Sequence, residues 1–358
     1  MIHYNIDDGG IGMTGEIENY MLRRLNGAPR SLAFHSGGDF AAWRQALSGR
    51  FLQRLGGFPP VRASLAPVLL ERTERPDYIR ERLEITTYEG LRMPVYLMIP
   101  KQPLSFPAPA VVAVHGHGYG SREIVGLTPD GAERTDTPGL HKDFAVSLVR
   151  RGFVVAAPEM FGFGDRRLIE DKLAGEPGRN SCFRLSAQLL MTGETMAGFR
   201  VYETLRVLDY LQSRTDAAPE RTGIMGISGG GLVAGFAAAL DERFRCAVVS
   251  GYTSTFAASI LSRSHCLDNY IPGLLNDAEM PDLLGLIAPR GLFLEVGDKD
   301  HLFPPEAARG AYARLQEIYA AAARSHPAGV SAVTADLFDG GHEIHGGPAF
   351  AWLREQLG

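Results

Sequence analysis

The stretch Gly226-Ile227-Ser228-Gly229-Gly230 has the residue types and spacing to present a nucleophile. A Gly-x-Ser-x-Gly at a strand-to-helix turn forms a nucleophile elbow. The turn is sharp, so the flanking residues must be small, and the serine hydroxyl is pushed out above the sheet. The apolar run 222–225 reads as a buried strand, and the small-residue run 231–240 reads as a tightly packed helix. That helix would aim its positive end at the reacting centre. In a chain with 42 glycines the pattern alone is weak; the strand before it and the helix after it give it weight.

Acyl chemistry by a serine needs a base, an acid to orient that base, and an oxyanion hole. With an elbow of this kind, the acid and then the histidine follow the serine along the chain. The acid is expected at the end of a strand at 292–296, in Gly297-Asp298-Lys299-Asp300, with Pro304 after it. Asp300, at the fourth position of that loop, is the preferred acid. Asp298 is the runner-up, with capping of a turn as its other role. The base is expected in Gly340-Gly341-His342-Glu343-Ile344-His345. His342 is preferred because two glycines let the loop bring its imidazole back over the sheet; His345 is expected to begin the C-terminal helix. The oxyanion donors are expected to be the amide of Gly229, just after the nucleophile, and the amide of His117 in His115-Gly116-His117-Gly118. For His115 a structural role is favoured; for the His117 side chain both a structural and a functional role stay open.

The elements that must position these residues follow from periodicity. Residues 1–80 carry no strand alternation, and apolar residues at helical spacing from Phe40 to Leu55 predict a helix capped by Asp39 and stopped by Gly56-Gly57. A weaker helix is expected at 16–25. This region is read as a helical extension packed on the main domain, with a cap over the site or a dimerisation arm as the functional alternatives. Strands are expected to begin near residue 80, at 82–88 and 91–100. The wholly apolar run 110–114 suits a central strand buried on both faces. Further strands are expected at 153–158, 246–250, 292–296 and 332–337. Helices are expected at 140–151, at 185–213 with an interruption near Gly193 or Gly198, at 305–323 and at 347–357. Alternating strands and helices predict an α/β fold with a mostly parallel sheet covered on both faces. The catalytic domain is expected over 81–358. Within it, 253–290 is too long for a plain connection and is expected to act as a lid.

Composition bounds the function classes. A net charge of −5 and the absence of a basic run argue against a nucleic-acid partner. No apolar stretch suggests a membrane span, and the opening residues 1–8 do not read as a signal peptide. Cys182, Cys246 and Cys266 are odd in number and widely spaced, which fits a reducing cytoplasm and neither a disulfide framework nor a zinc cluster. The histidine spacings match no zinc motif, so neither a catalytic metal nor a cofactor is expected.

Together, His115-Gly116-His117-Gly118, the elbow through Gly231, Gly297–Pro304 and Gly340-Gly341-His342 resemble the α/β-hydrolase superfamily. Within it the chain is similar to the dienelactone-hydrolase-like and acetyl-xylan-esterase-like branch of bacterial esterases. The segments 264–275, 280–290 and 162–167 are also similar to that branch. Two departures limit the resemblance: dienelactone hydrolases proper use a cysteine where Ser228 stands, and cephalosporin-C deacetylases have a Gly-x-Ser-Gln-Gly elbow and lack the N-terminal extension. No substrate carries over.

Other side chains are candidates for the pocket. For Arg166, Arg167 and Arg263 solvated surface arginine is the favoured reading; facing the pocket, where they would suit a substrate carboxylate, is the functional alternative. His265 and Glu159 are further candidates for substrate binding, and Cys266 is either a reactive thiol or a small apolar filler. The reading is a cytoplasmic serine esterase acting on a small-molecule ester of a short, acetyl-like acyl group; a homodimer is left open. A hydrolase of C–C bonds in activated ketones and a non-catalytic binding module are the rivals.

Overall fold

A computed structural model describes residues 15–325, 329 and 331–358 of the chain. The first eight residues therefore lie outside the described ones. Nine strands form one sheet: β1 Val68–Glu74, β2 Tyr78–Tyr88, β3 Leu91–Pro100, β4 Ala108–Val114, β5 Val154–Pro158, β6 Ala217–Ile227, β7 Cys246–Ser250, β8 Gly291–Gly297 and β9 Val333–Phe338. Their order is β1-β2-β3-β5-β4-β6-β7-β8-β9. The β1-β2-β3-β5 pairings are antiparallel, and from β5 through β9 every pairing is parallel. The helices are α1 Glu16–Asn26, α2 Phe40–Arg54, α3 Phe144–Val149, α4 Ile169–Leu173, α5 Cys182–Met191, α6 Met196–Gln212, α7 Gly229–Leu240, α8 Met280–Gly285, α9 Pro305–Ser325 and α10 Gly347–Leu357.

Two hydrophobic layers sandwich the sheet. One joins residues of α2, α6, α7, α8 and α9 to one face, and the other joins residues of α3 and α10 to the opposite face. The central strands β4, β6 from Thr222, β7 and β8 are buried along their length, which is why their sequences are unbroken apolar runs rather than alternations. The fold is the α/β-hydrolase fold, with α1 and α2 preceding the sheet. Asp39 caps α2 through the amides of Ala41 and Ala42, and Phe40, Leu47 and Phe51 are buried against the main core.

Three expectations are corrected. Strands begin at Val68, not near residue 80: β1 is an edge strand with every residue but Thr73 exposed, so it carries no alternation to read. The helix expected at 140–151 is only α3, because Lys142 and Asp143 have positive φ and end any helical path before Phe144. The helical stretch expected at 185–213 starts earlier, at Cys182, while the interruption expected near Gly193 or Gly198 falls at Gly193, whose φ of 83° separates α5 from α6.

The segment 253–290 divides by environment. Ser264, His265, Cys266 and Asn269 line a cavity over the sheet. Met280, Leu283, Leu284, Leu286 and Ile287 are instead fully buried in the main core. Among the described residues, no helix is long and apolar enough to cross a membrane.

Candidate active site

Ser228 sits at the junction of β6 and α7 with φ 57° and ψ −126°, a conformation that costs a non-glycine residue roughly 1–3 kcal/mol. The surrounding packing enforces it. A Cβ at Gly226 would lie 2.1 Å from the carbonyl oxygen of Gly230, and one at Gly230 would lie 2.2 Å from that of Val114. Only glycine fits either place, so the turn stays tight and the serine projects from it. The Ser228 amide donates to the carbonyl of Ser250 at 2.9 Å, tying the elbow to the end of β7.

Asp300 and His342 come from the loops after β8 and β9. Nδ1 of His342 lies 2.7 Å from Oδ2 of Asp300. The other carboxylate oxygen accepts the amides of Leu302 at 2.8 Å and Phe303 at 3.0 Å. Burial alone would raise this carboxyl; the His342 hydrogen bond and charge and the two amides outweigh it and hold Asp300 below its ordinary value. The imidazole stacks on Phe303 at 5.8 Å between centroids and packs against Gly251. Its Nε2 is buried and, among the described residues, has no hydrogen-bond partner. Ser228, Gly229, His117 and His342 line one cavity of about 250 Å³, together with Leu140, Tyr252, Ser264, His265, Cys266, Asn269, Leu302 and Phe303.

The loop after β4 passes directly over the elbow. A Cβ at Gly116 would lie 3.1 Å from Cβ of Ser228, and one at Gly229 would lie 3.4 Å from Nδ1 of His117. The two residues expected to donate amides to an oxyanion are thus side by side. Gly229 opens α7, where amides have no intrahelical acceptor. Three groups hold the loop from beneath. The Gly116 amide donates to Nε2 of His141 at 2.9 Å, and burial pushes that imidazole below its ordinary pKa, as suits an acceptor. Nε2 of His115 accepts the Met160 amide at 3.1 Å. Glu159 accepts the Ser121 amide at 2.9 Å and its hydroxyl at 3.0 Å.

The remaining candidates separate by position. His265 lines the cavity, and burial together with Arg263 lowers its pKa. Glu159 and Arg166 are not among the lining residues. Glu159 is committed to Ser121, and Arg166 makes a two-pronged pair with buried Glu203 at 2.6 and 2.7 Å. Arg167 bonds the carbonyls of Gly164, Asp171, Glu176 and Arg179. Asp298 accepts the Gly340 amide at 3.2 Å and so caps the loop. His345 pairs with Asp336 at 2.6 Å.

One grouping has no counterpart in the sequence reading. Cys182 and Cys266, 84 positions apart, meet beside the cavity with His117 and Asp268. Arg200, buried beneath them, donates to Oδ2 of Asp268 at 2.6 Å and to Sγ of Cys182 at 3.0 Å. A hydrogen bond from Cys182 lowers the Cys266 thiol to about 6, against burial and with help from His117. Burial alone would lower the His117 imidazole, but Cys266 and Asp268 raise it. Two of the cysteines read as widely spaced along the chain are thus neighbours in space, both with free thiols. His141, Tyr252 and Arg200 are also absent from the sequence reading, and Asp268 enters it only as part of the segment 264–275, with no role; each reaches the site through a long-range contact.

Residues 7–313 match the Abhydrolase family. YtaP of Bacillus subtilis strain 168, provisionally named a hydrolase, is 33% identical over 278 residues, covering 75% of this chain and 86% of that one. Two solved structures share the fold. One, from Bacteroides fragilis and provisionally named an acetyl xylan esterase, has a TM-score of 0.74 at 18% identity over 93% of this chain and 84% of the other. The second, a glucuronoyl esterase from Solibacter usitatus, has a TM-score of 0.64 at 17% identity over 92% of this chain and 97% of the other. The chain belongs to the Abhydrolase family.

Proposed function

We propose that this hydrolase cleaves a carboxylic ester of a small molecule by a serine mechanism, through an acyl-enzyme. The observation that carries the reading is the Nε2 of His342, without a hydrogen-bond partner among the described residues and held by Asp300 through Nδ1, in the same cavity as a strained Ser228. His342 takes the Ser228 proton as the hydroxyl attacks the acyl carbonyl. The amides of Gly229 and His117 receive the developing oxyanion, where fixed dipoles contribute most because they need no reorganisation. His342 then protonates the leaving alcohol and activates the water that releases the acid. Asp300 keeps the imidazole in the tautomer with Nδ1 protonated and stabilises the imidazolium. No step calls on a cofactor. A cavity of about 250 Å³ supports a short acyl group.

Hydrolysis of p-nitrophenyl acetate, butyrate and octanoate by the wild type and by Ser228→Ala tests this. The wild type should turn over acetate best, and the alanine variant should lose about 10³-fold or more in kcat. An alanine variant as active as the wild type would remove Ser228 from the mechanism. Turnover of a β-diketone with no ester hydrolysis would replace the reading with C–C bond cleavage.

A further inference from the structure

The four side chains beside the oxyanion loop have the composition of a metal site. We infer that Nε2 of His117, Sγ of Cys182, Sγ of Cys266 and a carboxylate oxygen of Asp268 form a site for a borderline divalent cation, zinc being the natural occupant. Their ligand atoms all lie within 4.8 Å of one another. Tetrahedral zinc, with bonds of about 2.0–2.3 Å, needs its ligand atoms about 3.3–3.8 Å apart, so closure takes shifts of about 1 Å or less per side chain. Two thiolates, one imidazole and one carboxylate select zinc or cobalt over the hard, oxygen-seeking magnesium and calcium.

Three further observations fit an ion at this place. Nε2 of His117 is buried and, among the described residues, has no hydrogen-bond partner, although Oδ2 of Asp268 stands 3.4 Å away. Two thiolates and a carboxylate carry three negative charges; the divalent ion and the buried Arg200 guanidinium cancel them. Arg200 already bonds two of the four ligands, Cys182 and Asp268, and so orients them as outer-shell partners do. Asn269 helps to orient the carboxylate as well: its Nδ2 donates to Oδ1 of Asp268 at 2.8 Å, which leaves Oδ2 toward His117.

The ligands come from three separate pieces of chain: the loop after β4, the first residue of α5, and the cavity-lining part of 253–290. Binding would clasp these pieces together. With four protein ligands the site is closed and offers no place for substrate or water, so its role is structural. It would fix the His117 loop whose amide the proposed oxyanion hole uses. Metal binding itself does not depend on the esterase reading.

The test is cobalt titration of the full chain, reduced, stripped with a chelator and kept anaerobic, with free thiols counted beforehand. Saturation at one cobalt per chain is expected, with a thiolate-to-metal charge-transfer band in the near ultraviolet and the intense visible bands of tetrahedral cobalt. Zinc should abolish both. Cys182→Ser and Cys266→Ser should each weaken the charge-transfer band, and His117→Ala should raise the cobalt Kd more than about tenfold while leaving thiolate absorption detectable. If a serine variant fails to fold by circular dichroism, His117→Ala, at the partly exposed edge of the cluster, carries the test. Fully reduced wild type that takes up no cobalt overturns the inference. So do bands that survive unchanged in all three variants, or a Cys182–Cys266 disulfide that re-forms while no metal binds to the reduced chain.

Discussion

Of the three histidines that line the cavity, His342 and His117 each have an aspartate beside them, yet the two pairs differ in what surrounds them. Asp300 bonds Nδ1 of His342 at 2.7 Å, and its other oxygen is held only by neutral backbone amides. Its negative charge is therefore directed at the imidazole. Asp268 stands 3.4 Å from Nε2 of His117 and gives the same oxygen to Arg200 at 2.6 Å. A guanidinium already neutralises it, and Cys266 rather than the aspartate is the neighbour that most raises His117. The difference suits the first pair, and not the second, to the orienting role proposed for Asp300, because a carboxylate with no competing cation directs its charge at the imidazole.

Breaking the first pair should have the largest effect. Asp300→Asn keeps the shape but cannot accept from Nδ1 as a charge, so kcat on p-nitrophenyl acetate should fall about 10³–10⁴-fold with little change in the denaturant midpoint. A loss below tenfold would remove Asp300 from its role. Asp268→Asn should do the reverse. It leaves Arg200 buried without its carboxylate, and unfolding free energy should drop by about 3–5 kcal/mol, while kcat of the folded fraction falls far less than in Asp300→Asn. Equal catalytic losses in the two variants would erase the contrast.

Glu295 sharpens the comparison because, among the described residues, it has neither a histidine nor an arginine as a direct bonding partner. It lies buried at the end of β8, and one oxygen accepts the Gly346 amide at 2.6 Å. Burial pushes its carboxyl up to about 7, opposite to both aspartates. The fold therefore favours the protonated form. The stabilising contribution is full below the ordinary value of 4.5 and is lost as pH rises through about 7. Glu295→Gln should flatten the fall in stability across this window, by roughly 3 kcal/mol at most, as measured by urea unfolding at pH 5 and pH 8. The aspartates act in the other direction: their contribution is present above the ordinary carboxylate value and is lost in acid. An unchanged slope in the glutamine variant would show that Glu295 does not set it.

The parts of the site legible in the sequence are those whose neighbours are close along the chain. Ser228 is marked by its own glycines, by the apolar strand before it and by the small-residue helix after it. The chain order expected after the serine then narrows the proposed acid and base, Asp300 and His342, to two short loops. Arg166 and Glu159 read toward the pocket because a charged residue beside a strand end suggests function, whereas their partners Glu203 and Ser121 lie 37 and 38 positions away. The edge strand β1 is invisible because it is exposed on both faces and so has no period.

What the sequence determined by itself is the α/β alternation, the elbow and the loops that follow β8 and β9, since each depends on local periodicity and on glycine at fixed offsets. What the tertiary structure decided is which charges are already neutralised. Cys182, Cys266, His117 and Asp268 become neighbours only when α5, the β4 loop and the segment after β7 pack over one another. Coulomb and hydrogen-bond energies depend on distance through space, and spacing along the chain does not encode that distance once the residues lie on different elements.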